Sequence, residues 1–172
     1  MTRIRRAPLP AVLALAALAA TCNNEPASPD SDPDRPPAAG APVVRNGVEY
    51  RADLAVMESF PVQLAGRVTI TNATGAAVQL TFPDGCVALL RAYRSDARVW
   101  DQSSGIACTM ALVQVSLAPG ESRTVQAPNV SAYEILGDEL PDGDYEIRVY
   151  LRPDGGEVEI SAGTTQLAIP RD

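Results

Sequence analysis

The chain has 172 residues and a formal net charge of −7, enough for one domain plus shorter extras. All fourteen basic residues are Arg, with no Lys and no His, which excludes a His-based triad, its Ser–Lys variant and the commonest metal ligand. An acidic chain with scattered Arg offers no basic patch for nucleic acid.

Residues 1–21 read as a secretory signal. Arg3, Arg5 and Arg6 form a basic head, and Ala11 to Ala20 is an apolar run too short to span a bilayer. Leu18-Ala-Ala-Thr-Cys22 resembles a bacterial lipobox, with Ala19 and Thr21 departing from the usual residues. It predicts that Cys22 becomes the first mature residue and carries a lipid. A plain signal and a secreted product are the alternative. Residues 22–46 are then the lipidated Cys and a tether. Asn23 to Pro42 is rich in Pro, Ala, Asp and Ser and has no large apolar residue, so it cannot offset its own ordering entropy. Its prolines and Asp30, Asp32 and Asp34 keep it extended.

Residues 47–172 are the expected β-sandwich, with the folded part beginning near Val43. Turn signals recur about every ten residues, a spacing typical of all-β sandwiches and barrels. Val48 to Val56 alternates apolar and polar, as does Val62 to Thr71. Asn72-Ala-Thr-Gly75 is a turn; its sequon is read as turn chemistry. Val78, Leu80 and Phe82 form a third strand, closed by Pro83-Asp-Gly85. Cys86 to Tyr93 is apolar on both parities, as in a strand covered on both faces. Ser95 to Arg98 is a hairpin loop before Val99-Trp100-Asp101, and Gln102 to Gly105 is another loop. Ile106 to Val115 follows. Leu117-Ala-Pro-Gly-Glu121 is a turn opening a polar strand, Ser122 to Gln126. Pro128 to Leu136 fits a short strand or a helical turn.

The firmest strand is Tyr145 to Leu151, launched by the turn Pro141-Asp-Gly143. Tyr145, Ile147, Val149 and Leu151 share one face, expected on the core. Asp144, Glu146, Arg148 and Tyr150 share the other, expected in water. This strand is expected at the centre of its sheet. A hairpin turn at Pro153 to Gly156 leads to the last strand, where parity switches near Ala162-Gly163. That switch predicts a bulge or a change of sheet.

With Cys22 assigned to lipidation, Cys86 and Cys108 remain as an even pair in an exported domain, which predicts a disulfide. Two separate buried thiols are the alternative. No His or second Cys pair exists to complete a metal site. Trp100 reads first as a core or rim anchor and second as a ligand platform. Tyr145 reads as a tyrosine corner, its hydroxyl bonding upstream backbone. Asp138, Glu139, Asp142 and Asp144 read as a solvated acidic turn, with a Ca²⁺ site as the alternative; their spacing matches no EF-hand. No metal, cofactor or enzymatic activity is expected.

In order, Thr71-Asn-Ala-Thr-Gly75, Gln79 to Phe82, Arg98-Val-Trp-Asp101, Leu117-Ala-Pro-Gly-Glu121 and Pro141-Asp-Gly-Asp-Tyr-Glu-Ile147 resemble the BsuPI family, the intracellular proteinase inhibitors of Bacillus. The resemblance covers roughly Val62 to Leu151. The departures are Asp96-Ala97 in the hairpin before Val99-Trp100, and Ile106-Ala-Cys-Thr-Met110 where a Phe-rich segment is usual. The resemblance implies an all-β, immunoglobulin-like antiparallel β-sandwich that binds a protein partner, with a serine protease as the named candidate. No inhibitory residue is carried over. A cell-envelope interaction module without inhibitory activity is the second expectation. Ligand or carbohydrate binding through Trp100 is the third.

Overall fold

The structure is a computed structural model that describes residues 40–59, 61–154 and 156–170. The signal segment, Cys22 and most of the tether lie outside the described residues. The described part is an antiparallel β-sandwich. One sheet holds Val43–Arg45 (β1), Val48–Met57 (β2), Gln63–Asn72 (β3) and Ser122–Gln126 (β8) in the order β1-β2-β3-β8, and Val130–Ser131 (β9) also pairs with β3. The other holds Ala88–Arg94 (β5), Ala97–Asp101 (β6), Gly143–Leu151 (β10) and Val158–Leu167 (β11) in the order β11-β10-β5-β6. Val78–Phe82 (β4) and Val113–Leu117 (β7) pair with each other. The order β11-β10-β5-β6 is that of the G, F, C and C′ strands of an immunoglobulin-type sheet.

Alternation places the core. From one sheet, Val48, Tyr50, Ala52 and Leu54 join Leu64, Val68 and Ile70. From the other come Leu90, Ala92, Tyr145, Ile147, Val149 and Ile160, all buried in one cluster. Gly66 on β3 faces Leu90 and Val149 of the opposite sheet. A Cβ there would lie 2.4 Å from Leu90 Cδ2 and 2.9 Å from Val149 Cγ2. The strand therefore needs glycine for room, not for a special φ.

Two turns explain the ends of strands. Asn46 and Gly47, with φ of 51° and 75°, make a tight hairpin that folds β1 back onto β2. The sheet thus begins at Val43, where the folded part is expected to start, one short strand ahead of the strand expected from Val48. Ser95 and Asp96, also at positive φ, close the β5–β6 hairpin. The parity switch in β11 is a bulge rather than a change of sheet. Ile147 opposes Gly163 and Arg148 opposes Ser161, so Ala162 is the extra residue and β11 stays on β10 throughout. Between Pro128 and Leu136 both expected forms occur. β9 runs into a short helix, Ala132–Leu136 (α1), capped by Ser131 with Glu134 reaching back to it.

Asn72 is fully buried at the end of β3. Its Nδ2 donates to the carbonyls of Ala76, Leu117 and Ala118, and its Oδ1 accepts from the Thr74 amide and hydroxyl. The Leu117–Glu121 turn is docked there as well, by Asn72 N–H to Glu121 O and Gly120 N–H to Asn72 O. This is the turn chemistry expected of the sequon. No helix among the described residues is long and apolar enough to cross a membrane.

Candidate functional site

The outward face of β10 is not open water. Tyr150, on the parity expected to be solvated, is only 2% exposed. Arg91 on β5 covers it, with the guanidinium carbon 3.7 Å from the ring centroid. Arg91 Nε donates to Asp101 at 2.9 Å, Nη1 to Glu157 at 2.5 Å and also to Glu159, and Nη2 to Glu157 at 3.1 Å. One row over, Arg148 lies 4.1 Å from the Tyr93 ring centroid and pairs with Glu146 and Glu159. Tyr93 donates its hydroxyl to Glu159, and Tyr150 donates to Asp101. Burial would push the Asp101 carboxyl up, but the Ser103 hydroxyl, Arg91 and the Ser103 amide outweigh it and hold it at about 2. Burial opposes the charge on Arg91 too, and its three carboxylate partners more than compensate. Among the described residues no buried side-chain nitrogen or oxygen lacks a partner, and this paired network reads as a brace across four strands rather than a site.

Trp100 lies on β6, the edge strand of this sheet, and is partly buried against the core. It lines an open cleft of about 510 Å³ with Val99, Gln102, Ser104, Pro128 and Glu134. A second hollow of about 360 Å³ shares Val99, Trp100 and Glu134 and runs on along Ile135 to Leu140. Trp100 thus packs against the core and also borders an open cleft. Gln102 closes the cleft floor. It is buried, accepts from the Leu90 amide at 2.9 Å and donates to the Pro128 carbonyl at 2.9 Å. Sequence reading passed over it as a loop residue, and no local signal marks it. Tyr145 takes no part in either hollow. It is fully buried and donates its hydroxyl to the Pro141 carbonyl at 2.5 Å.

Cys86 and Cys108 are joined in a disulfide, with Cα atoms 5.4 Å apart. Asp84 lies beside the two sulfurs, the sole such grouping of ligand-type atoms among the described residues. Sulfurs bonded to each other are not thiolate ligands, so the group offers one carboxylate only. The acidic turn forms no comparable group, and Asp142 accepts from the Ile169 amide. Around Cys108, the chain from Ile106 to Leu112 forms no strand, and β7 begins only at Val113. Met110 is 98% exposed and Leu112 71%.

A family model for intracellular proteinase inhibitors, BsuPI, matches residues 51–155. This span takes in the disulfide, Trp100 and the exposed segment after Cys108. Nothing among curated proteins matches the chain. Among solved structures, β-glucosidase 3B from Thermotoga neapolitana with α-D-glucose is similar at 20% identity, covering 72% of this chain and 17% of that one, TM-score 0.35. The β-glucosidase from Listeria innocua with glucose is similar at 15% identity, covering 70% and 17%, TM-score 0.34. The chain thus spans under a fifth of those enzymes, and similarity at this level carries no argument about activity.

Proposed function

The chain belongs to the BsuPI intracellular proteinase inhibitor family, and from that premise we propose that it inhibits a serine protease at a bacterial envelope. It carries a proteinase-inhibitor-type domain, and the match over residues 51–155 is the observation that carries the reading. The form of the domain suits the role. A rigid sandwich presents loops that need little ordering on contact, which favours tight binding. The lipobox-like Leu18-Ala-Ala-Thr-Cys22 and the Pro- and Asp-rich stretch after it support placement on a membrane through lipidated Cys22.

The test is a titration of the full chain against subtilisin-, chymotrypsin- and trypsin-type serine proteases with fluorogenic substrates. The expected result is loss of activity at near-stoichiometric ratios for at least one class. No effect on any class at micromolar concentration would overturn the reading.

A further inference from the structure

We propose that Thr109–Leu112 is the segment that enters the protease active site, with Met110 filling an apolar primary specificity pocket. This rests on the inhibitor reading and adds the contact element and the class of target.

Three anchors hold the segment to one short stretch of chain, Phe82 to Cys86. The Cys86–Cys108 disulfide fixes its start. The Gly85 amide donates to the Thr109 carbonyl at 3.0 Å. Val113 pairs with Phe82 as β7 joins β4. The Thr109 side chain packs over Gly85 as well, where a Cβ would lie 2.1 Å from Thr109 Oγ1. The stretch itself is braced, with the Cys86 amide donating to Asp84 at 2.9 Å. Between these anchors Met110, Ala111 and Leu112 stand out from the surface.

An exposed apolar pair gives the folded domain nothing, since its area stays in water. Met110 and Leu112 lie two residues apart, whereas the other large exposed apolar residues among those described, Val44, Met57 and Tyr133, belong to other elements. A main chain already fixed loses little entropy when a protease grips it, so the contact retains more of its binding energy. The side chains decide which protease. No residue from Gln102 to Gln114 is charged. A pocket with an acidic floor, built for Arg or Lys, would bury its charge without a partner. A hydrophobic slot suits Met110.

The experiment compares the full chain with Met110→Lys and Leu112→Ala against chymotrypsin and trypsin, with thermal unfolding alongside. The wild type is expected to inhibit chymotrypsin and not trypsin. Met110→Lys should weaken chymotrypsin inhibition by about 100-fold, the size of a central interface anchor, and shift inhibition toward trypsin. Its melting temperature should not move, because Met110 is exposed. Leu112→Ala should lose less. If the wild type inhibits chymotrypsin and Met110→Lys inhibits it equally well, this assignment is overturned and the inhibitor reading stands. If the wild type inhibits no serine protease, the reading fails and takes the assignment with it.

Discussion

Arg91 lies over Tyr150, its guanidinium carbon 3.7 Å from the ring centroid, and the same guanidinium reaches three carboxylates. Tyr150 closes the circuit by donating its hydroxyl to Asp101 at 3.0 Å. Arg91 is on β5, Asp101 on β6 and Tyr150 on β10, so the circuit ties the β5–β6 hairpin to a strand distant in sequence.

Removing Arg91 should be severe. Arg91→Ala leaves Asp101, Glu157 and Glu159 crowded without their shared cation, and breaking such a partly buried cluster costs about 3 kcal/mol. Arg91→Lys should recover only part of this, because an ammonium cannot both stack flat and fork to several carboxylates. Urea denaturation of the two variants measures the difference. Equal stability of Arg91→Ala and the wild type would show that the circuit holds nothing.

Acid should act through the same circuit. The Asp101 carboxyl is held at about 2, below its ordinary 3.8. A carboxyl depressed by folding stabilises above its unfolded value, and that gain is lost as pH falls toward the folded one. The contribution is roughly 2 kcal/mol, complete above about pH 4 and lost toward pH 2. Glu159 has the same sign: burial would raise its carboxyl, but Tyr93, Arg91 and Arg148 together lower it. Stability should therefore fall steeply below pH 4. Asp101→Asn should be weaker at neutral pH and show a shallower acid limb by calorimetry.

Gly66 should tolerate no side chain. Gly66→Ala puts a methyl group 2.4 Å from Leu90 Cδ2, and overpacking of this kind costs about 1–3 kcal/mol. Leu90→Ala in the same molecule should return part of the loss, since it removes the clashing atom. A double-mutant cycle reads the coupling; purely additive costs would mean that the two sheets do not meet there.

Cys22→Ser should release the protein from membranes. Fractionation of the native host, probed with an antibody to the sandwich, is the measurement. Membrane association unchanged by the substitution would rule out a lipid on Cys22.

The architecture was legible because its cause is local. Alternation in Val48 to Val56 and Val62 to Thr71 is the pleat of a half-buried strand. Tyr145, Ile147, Val149 and Leu151 point inward for the same reason. What escaped reading depends on partners distant in sequence. Tyr150 looks solvated until Arg91 is placed 59 positions earlier on the neighbouring strand. Gln102 looks like loop until its amide is seen to bridge Leu90 and Pro128. Val43 to Arg45 was hidden by the Pro-rich stretch before it, although Asn46-Gly47 is the hairpin signal that would have found it. The site suffered most. Ile106 to Leu112 is apolar, and apolar character alone does not separate a strand going into the core from a loop held out of it. Only the anchors at Gly85 and Cys86 settle that the segment faces outward.

The outward set of Met110 also gives the domain a chemical weak point. A thioether 98% exposed is open to peroxide, which transfers one oxygen atom to sulfur and leaves as water, turning an apolar tip into a polar sulfoxide. Mild peroxide treatment should therefore disarm the loop without unfolding the sandwich, and methionine sulfoxide reductase should rearm it. Met110→Leu should keep its activity through the same treatment, as read by chymotrypsin titration and mass spectrometry. A domain built this way would release its protease under oxidative stress.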